Sequence, residues 1–486
     1  MADASISARA LVTLLGDWRD GGTGPSGPAY VALADRVRLL VLDGRVSVGT
    51  RLPAERELAE RLGASRTTVA AAYRRLREQD LLRSLRGSGS VTRLPGAPAV
   101  LPAPPAAEHL DLSKAAPPAL PWLAEVAREA VEELPAQLAG SGFDPVGLPE
   151  LRLAIAERYT ARGLPTAPEQ VMVTIGAQHA IGLLSKVLVG RGDRAVIEAP
   201  TYPHAYEALR AAGARLVPVP VAPHDAGGLD VDDEVGALVR AFGHANPSTA
   251  YLMPDFQNPT GRSLDEAGRE RVLDAAARQG AVIIADETTA ELDLDREAAL
   301  RPFAAYGPAG SAVLVGSLGK TAWGGIRVGW IRAEPALIRR LVAIRAPGDL
   351  GTPILEQLIA TRLVRGMDEI LAFRRAELRQ GRDLLEARLA EAFPSWHVPH
   401  VDGGIATWIG LGAPVSSQLA LAARAQGLLI AAGPRFGIDG AFERYLRLPI
   451  CLPPETIDEA VQALSRAWLA LPGTAVPEAG LLAEVV

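Results

Sequence analysis

The chain holds a single cysteine, Cys451, in 486 residues, which excludes an intramolecular disulfide and any cysteine-based zinc cluster. Lysine is almost as scarce. Only Lys114, Lys186 and Lys320 occur among 50 basic residues, the rest being arginine. A guanidinium does not form an imine, so a lysine kept in such a background is a candidate for Schiff-base chemistry. Long apolar runs are missing too: no window approaches the ~18 uninterrupted apolar residues of a membrane-spanning helix. The N-terminal stretch MADASISARALVTLLGDW carries Asp3 and no basic start before an apolar run, against the pattern of a secretory signal. Of seven histidines only His397 and His400 lie close together, and Pro399 between them opposes a helical pair of metal ligands. The expectation is a cytoplasmic, metal-independent protein with no membrane partner.

What is present is an ordinary globular balance, 48% hydrophobic and 22% charged. The length suits about three domains of ~150 residues, or a small domain joined to a large bipartite domain. Charge is unevenly spread. Residues 30–95 hold 13 arginines, no lysine and seven acids, a net of +6, while the whole chain is −6, so the remainder sums to −12. A basic segment on an acidic body suits a polyanion-binding head on an enzyme-sized body. On charge alone, an arginine-rich helical surface with no partner fits as well.

Residues 1–28 form an N-terminal extension, with a short apolar-periodic stretch and then GGTGPSGP, a flexible break. The head follows over 29–93. Leu33, Val37, Leu40 and Val41 recur at helical spacing. Pro53 suits the first turn of a second helix, PAERELAERL, stopped by Gly63. Ser65 is a natural N-cap for a third, RTTVAAAYRRLREQDLL. Two helices parted by the tight GAS turn make a helix-turn-helix, and LLRSLRGSGSVTRL alternates around Gly-Ser-Gly as a two-stranded wing. Recognition of duplex DNA needs a helix whose N-terminal side chains reach base edges, with nearby groups on phosphates. Arg66 can fork onto guanine, flanked by the hydroxyls of Ser65, Thr67 and Thr68. Arg56 in the preceding helix and Arg86-Gly87 in the wing are placed for backbone or minor-groove contacts. A purely structural helix capped by the same residues is the alternative. The stretch from GTRLPAERELAERLG to RGSGSV resembles the GntR-type winged helix-turn-helix, an α+β domain. That resemblance implies DNA-contact roles for Arg56, Arg66, Thr67, Thr68 and Gly87.

Residues 94–120 are Pro/Ala-rich and read as a semi-extended linker; 473–486 read as a loose tail. Between them, 121–472 alternates helical stretches with apolar strand candidates VMVTIG, RAVIEA, TAYLMP, AVIIAD and AVLVGS. That rhythm indicates an α/β body with a largely parallel sheet. Lys320 follows the last of these strands in Ser317-Leu318-Gly319-Lys320-Thr321. A Walker A phosphate loop would need glycine at 314, where leucine stands. A lysine at a strand end, with Ser317 before it and Arg327 after it, suits an aldehyde cofactor that bears a phosphate. Lys320 would form the imine, and Ser317 and Arg327 would hold phosphate oxygens. Asp286 ends AVIIAD at the carboxyl edge of a parallel sheet, where a carboxylate can keep a pyridine nitrogen protonated. Asn258, in the turn Gln257-Asn258-Pro259-Thr260-Gly261, can reach a phenolic oxygen. Ala177 and Gln178 offer backbone N–H groups at a helix start, and Tyr202 offers a face for stacking. Singly each is weak: an NPTG turn is usually just a turn, and a strand-end Asp is often a cap.

In this order the elements resemble the fold-type I aminotransferases, from Asp144 to Leu448. The resemblance implies large and small subdomains and a site for pyridoxal 5′-phosphate (PLP). It also implies that Arg447, in Tyr445-Leu446-Arg447-Leu448, forks onto an amino-acid α-carboxylate; a structural arginine is the other reading. Head, linker and body together resemble the MocR/GabR family of bacterial transcription regulators. That resemblance implies operator DNA as partner, a head-to-tail homodimer, PLP as an internal aldimine on Lys320, and PLP or an amino acid as effector. Two departures bear on catalysis. Thr288 stands where the family places a tyrosine that donates to the phenolic oxygen, so a donor remains on a shorter side chain. Gly142-Phe143-Asp144 lacks the tyrosine that supports the phosphate across the dimer. Both favour a sensor over a fast transaminase. The alternatives are a working aminotransferase that carries a DNA-binding head, and a scaffold that has lost the cofactor.

Overall fold

The computed structural model describes residues 6–16, 28–42, 46, 50–79, 81–85, 89–92, 109–221, 231–296, 300–438 and 441–471. They divide into two compact units. One holds Met1–Asp111, Gly410–Leu446 and Ala460–Val486; the other holds Leu112–Ile409 and Arg447–Glu459.

In the first unit, the head consists of α1 (Ala8–Leu15), α2 (Ala29–Leu42), α3 (Glu55–Leu62), α4 (Arg66–Glu78) and a hairpin of β1 (Leu82–Leu85) and β2 (Gly89–Thr92). Apolar residues three and four apart set which helix faces turn inward. Leu33, Val37, Leu40 and Val41 of α2 share one buried core with Val69, Ala72, Tyr73 and Leu76 of α4. Leu11 and Leu15 of α1 lie in that core as well, so a portion of the expected N-terminal extension belongs to the head. Gly63 closes α3 with φ +58°, a left-handed cap that glycine adopts without steric cost. Pro53 stands ahead of α3 rather than in its first turn. Ala54 is the N-cap, and the Pro53 carbonyl accepts from the buried Tyr73 hydroxyl at 3.0 Å. β1 and β2 pair antiparallel from Leu82↔Thr92 to Leu85↔Gly89, the geometry of a wing.

The second unit is built on a seven-stranded sheet. Its strands are β3 (Val171–Thr174), β4 (Arg194–Ala199), β5 (Arg215–Pro220), β6 (Thr249–Leu252), β7 (Val282–Asp286), β8 (Ala312–Ser317) and β9 (Gly329–Arg332). Their order is β3-β9-β8-β7-β6-β4-β5. Strands β4 to β8 run parallel, and β9 runs antiparallel between β3 and β8. Runs such as VMVT and TAYL are buried at every position, as expected of strands covered on both faces. β5 and β9 escape a sequence reading. RLVPVP carries two prolines, tolerated because β5 is an edge strand, and GWIR is short and opens with glycine. Gly329 has a steric reason: a Cβ there would lie 2.6 Å from the Gly176 carbonyl carbon and 2.8 Å from Ala177 N. Only glycine lets α5 (Gly176–Leu188) start so close to the sheet. Parallel strands end on one edge, so the loops after β4, β6, β7 and β8 open together there. Residues 112–120, expected in the linker, pack into this unit, with Leu112, Ala115 and Leu120 buried. No described helix is long and apolar enough to cross a membrane.

Candidate functional site

Nine residues singled out from the sequence line one cleft of about 160 Å³ in the second unit: Ala177, Gln178, Tyr202, Asn258, Asp286, Thr288, Ser317, Lys320 and Arg327. A single water needs on the order of 10–15 Å³ of such space, so the cleft admits a small molecule. β7 ends on Asp286, β8 ends on Ser317, and α5 begins one residue before Ala177. The turn that carries Asn258 is pinned by Gln257. Its Oε1 accepts from Thr260 N at 3.0 Å and Thr260 Oγ1 at 2.7 Å, and its Nε2 donates to the Pro200 carbonyl at 2.7 Å. That last bond ties the Asn258 turn to the loop bearing Tyr202.

Asp286 is buried and receives three hydrogen bonds. Tyr251 Oη donates to Oδ2 at 2.7 Å, while Thr288 N and Thr288 Oγ1 donate to Oδ1 at 3.0 and 2.7 Å. The Thr288 hydroxyl is therefore engaged by Asp286, which differs from the cofactor-oxygen donor its position implied. Sequence reasoning misses Tyr251. It lies on β6 opposite Ile284 of β7, and only that register brings its hydroxyl to Asp286. Burial, with the Asp286 charge second, pushes the Tyr202 phenol up to about 12, so it stays a neutral ring and a donor.

Lys320 Nζ donates to the Ala115 carbonyl at 2.6 Å. Burial holds its amine below the usual lysine range, and the Arg447 guanidinium pushes it the same way. A lowered amine has a larger free-base fraction, the form that attacks an aldehyde. Arg447, on the strand Tyr445–Pro449, is 5% exposed and donates through Nη2 to the Ser113 carbonyl. It is not among the described residues that line the cleft.

At the other end, Ser317 Oγ accepts from Gly319 N at 3.1 Å and donates to the Val328 carbonyl at 3.3 Å. Arg327 is exposed, and its Nη1 and Nη2 donate to the carbonyls of Gly324 at 3.2 Å and Ile175 at 3.4 Å. A Cβ on Gly176 would lie 2.7 Å from Arg327 Nη2, so glycine is what lets this guanidinium lie over the start of α5. Helix N–H groups, a hydroxyl and a guanidinium together form the donor set of a phosphate site. Asn258 Oδ1 is buried without a hydrogen-bond partner. An orphaned acceptor of this kind costs ~1–3 kcal/mol unless a ligand or water donates to it, and the Nδ2 of the same amide is the atom that can donate to a ligand oxygen. The lining thus fits a small ring bearing an aldehyde and a phosphate.

Glu287, next to Asp286, faces away from solvent and accepts from Phe303 N at 2.7 Å through Oε1. Arg162 Nη1 lies 3.7 Å from Oε2. Burial outweighs that cation and pushes the Glu287 carboxyl up to about 6.

On the head, Ser65 Oγ accepts from Thr68 N at 3.0 Å, capping α4, and is 2.7 and 2.8 Å from the Thr67 and Thr68 hydroxyls. The three hydroxyls form a cluster at the start of α4. Arg56 and Arg66 are exposed on α3 and α4. Arg86 and Gly87 lie outside the described residues.

Comparison with known proteins decides the body. Residues 110–464 match the aminotransferase class I and II family. The chain belongs to that family. Residues 29–91 match the bacterial regulatory proteins of the gntR family, so a GntR-type DNA-binding domain is fused to an aminotransferase-like domain. A 2-aminoadipate transaminase from Thermus thermophilus is 30% identical over 383 residues, covering 78% of this chain and 91% of its own length. The probable rhizopine catabolism regulatory protein MocR of Rhizobium meliloti is 31% identical over 344 residues, covering 64% of this chain and 66% of its own. The crystal structure of the α-aminoadipate aminotransferase LysN from Thermus thermophilus, complexed with N-(5′-phosphopyridoxyl)-L-leucine, superposes with a TM-score of 0.65 at 30% identity. It covers 74% of this chain and 92% of that one. The expected joining of winged helix to fold-type I aminotransferase body, the arrangement of MocR-type regulators, is borne out.

Proposed function

We propose that this chain is a bacterial transcription regulator whose aminotransferase-like body holds PLP and responds to PLP or to an amino acid. The observation that carries it is the convergence of nine cofactor-type residues on one cleft, in a chain that also bears a GntR-type head. When bound, PLP supplies an electrophilic aldehyde and an electron-withdrawing ring. Lys320 provides the amine that joins the aldehyde, and Asp286 the carboxylate for the ring nitrogen. Asn258 serves the phenolic oxygen, and Tyr202 offers the ring a face. Ser317, Arg327 and the N–H groups of Ala177 and Gln178 hold the phosphate. Arg447 is the counter-charge for an amino-acid carboxylate.

The Thr288 hydroxyl donates to Asp286, so it is not free to donate to the phenolic oxygen, which favours a sensor over a fast enzyme. The head, over 29–93, contacts operator DNA through Arg56, Arg66 and the Thr67 and Thr68 hydroxyls, with Arg86 and Gly87 in the wing. Ser65 acts mainly by holding the two threonines. A head-to-tail homodimer in the cytoplasm completes the reading, with the linker that joins the head to the body ending before Leu112.

The similarity to transaminases favours one alternative, a working aminotransferase with a DNA-binding head. Two measurements on purified protein separate the readings. Borohydride reduction in the presence of PLP, followed by peptide mapping, is expected to fix the pyridoxyl group on Lys320. Steady-state assays with common amino acids are expected to give no turnover at ordinary enzyme rates of ~1–1000 per second. Turnover in that range overturns the sensor reading, and an unlabelled Lys320 overturns the cofactor reading.

A further inference from the structure

Residues 112–120 form a strap without helix or strand, with Leu112, Ala115 and Leu120 buried, at 1%, 6% and 2% exposure. Three of its carbonyls are each held by a basic side chain. Arg374 Nη2 donates to the Pro118 carbonyl at 2.9 Å, Lys320 Nζ to Ala115 at 2.6 Å, and Arg447 Nη2 to Ser113. Ala116, between two of these, lines the cleft. The three cations differ in what else they do. Arg374 also donates to the carbonyls of Thr321 and Ala322 and to Glu377, so it is a fixed anchor within the fold. Lys320 and Arg447 are the amine and the carboxylate-binding cation of the proposed site.

We propose that residues 113–116 are a built-in competitor for the effector: the Ser113 carbonyl holds Arg447 until a carboxylate-bearing ligand displaces it, while Ala115 is released when Lys320 joins the cofactor. This rests on the reading of the cleft as a PLP site. The chemistry is an exchange of like for like. Both forks that an arginine offers to a carboxylate use Nη2, the nitrogen that Ser113 occupies. A charged carboxylate is a stronger acceptor than a neutral peptide carbonyl, so it wins Arg447 once the cleft is filled. Pro118 remains anchored on Arg374 and Leu110–Asp111 remains paired with Leu428–Leu429, so the displaced portion is the short stretch between these anchors. That stretch continues along the chain into the residues that join the body to the head. Occupancy of the amino-acid site is thus imposed first on the polypeptide that leads to the DNA-binding domain. Coupling of this kind requires a ligand that tells two states apart, and the strap supplies the two states.

The test is limited trypsin digestion of the full chain, reading cleavage of the Lys114–Ala115 bond by mass spectrometry. Lys114 is exposed, but a protease must draw several residues into its own cleft, so the bond is cut only when the strap leaves. Two probes differ only in the carboxylate: the N-(5′-phosphopyridoxyl) derivative of 3-methylbutylamine lacks it, and N-(5′-phosphopyridoxyl)-L-leucine carries it. Binding of each is checked by pyridoxyl absorbance that stays with the protein on gel filtration. The leucine conjugate is expected to raise the initial rate at Lys114 roughly tenfold over its decarboxylated analogue, the effect of losing one charge-assisted hydrogen bond. Equal rates with both probes bound, or protection by the conjugate, overturn the strap while leaving the cofactor reading intact. Failure of both probes to bind sinks the cofactor reading, and the strap proposal with it.

Discussion

Replacing Glu287 by glutamine gives a stability change whose size and pH window both follow from the structure. The wild-type carboxyl is pushed up to about 6 from 4.5, mainly by burial. Below pH 4.5 it is protonated in both the folded and unfolded chain and contributes no penalty. Between 4.5 and 6 the folded state binds more protons than the unfolded one, so stability falls as pH rises. The rise from 4.5 to about 6 corresponds to roughly 2 kcal/mol, fully lost above about pH 7. Glutamine keeps an Oε1 acceptor for Phe303 N, leaves Arg162 with its other partner Glu291, and has no proton to lose. Measured as variant minus wild type, the titrations of all other groups cancel. For a body of roughly 350 residues unfolding cooperatively, 2 kcal/mol is about 3 °C in Tm. Glu287→Gln is therefore expected to gain about 3 °C over wild type between pH 4.5 and pH 7.5, in thermal scans followed by far-UV circular dichroism. A constant difference across that range, or one that grows toward acid, refutes the argument that burial outweighs Arg162 at this carboxylate.

Ser65→Ala is expected to cost ~1 kcal/mol of head stability by uncapping α4, read as a lowered thermal midpoint; an unchanged midpoint would remove Ser65 as the cap. Arg66→Ala should weaken specific DNA binding by ~1–3 kcal/mol and relax sequence preference at one base pair, read by fluorescence anisotropy on operator variants. Binding of the wild type should fall steeply with salt, and a flat response contradicts phosphate-driven recognition. Arg327→Ala should weaken PLP binding by ~1.5–3 kcal/mol, about 10- to 150-fold in Kd, measured by equilibrium dialysis; an unchanged Kd would remove Arg327 from the phosphate site.

Much of the site is legible in the sequence because it rests on local rules. Strand-end positions are set by short apolar runs, so Asp286, Ser317 and Lys320 can be placed on one sheet edge before any coordinates. The scarcity of lysine then singles out Lys320. Ser65 is legible as a cap because capping is decided within four residues. What stays hidden depends on contacts between segments distant in the chain. Tyr251 reaches Asp286 through strand register, which sequence spacing does not encode. The strap reads as linker because its Pro/Ala composition describes local stiffness and not the buried cations that its carbonyls meet. Leu11 and Leu15 lie in a core fixed by α2 and α4, beyond a glycine-rich break that resembles a boundary. Thr288 shows the same limit in reverse. Its place in the sequence implies a cofactor donor, and the structure gives its hydroxyl to the carboxylate two residues earlier.

The central claim, that a PLP-binding body governs a DNA-binding head, is tested most directly by one titration. Specific binding of the purified chain to DNA upstream of its own coding region is measured against PLP concentration, for wild type and for Lys320→Ala. The account predicts a wild-type affinity that changes as PLP binds and a Lys320→Ala affinity that does not respond. Identical responses, or a specific complex indifferent to PLP in both proteins, would contradict it.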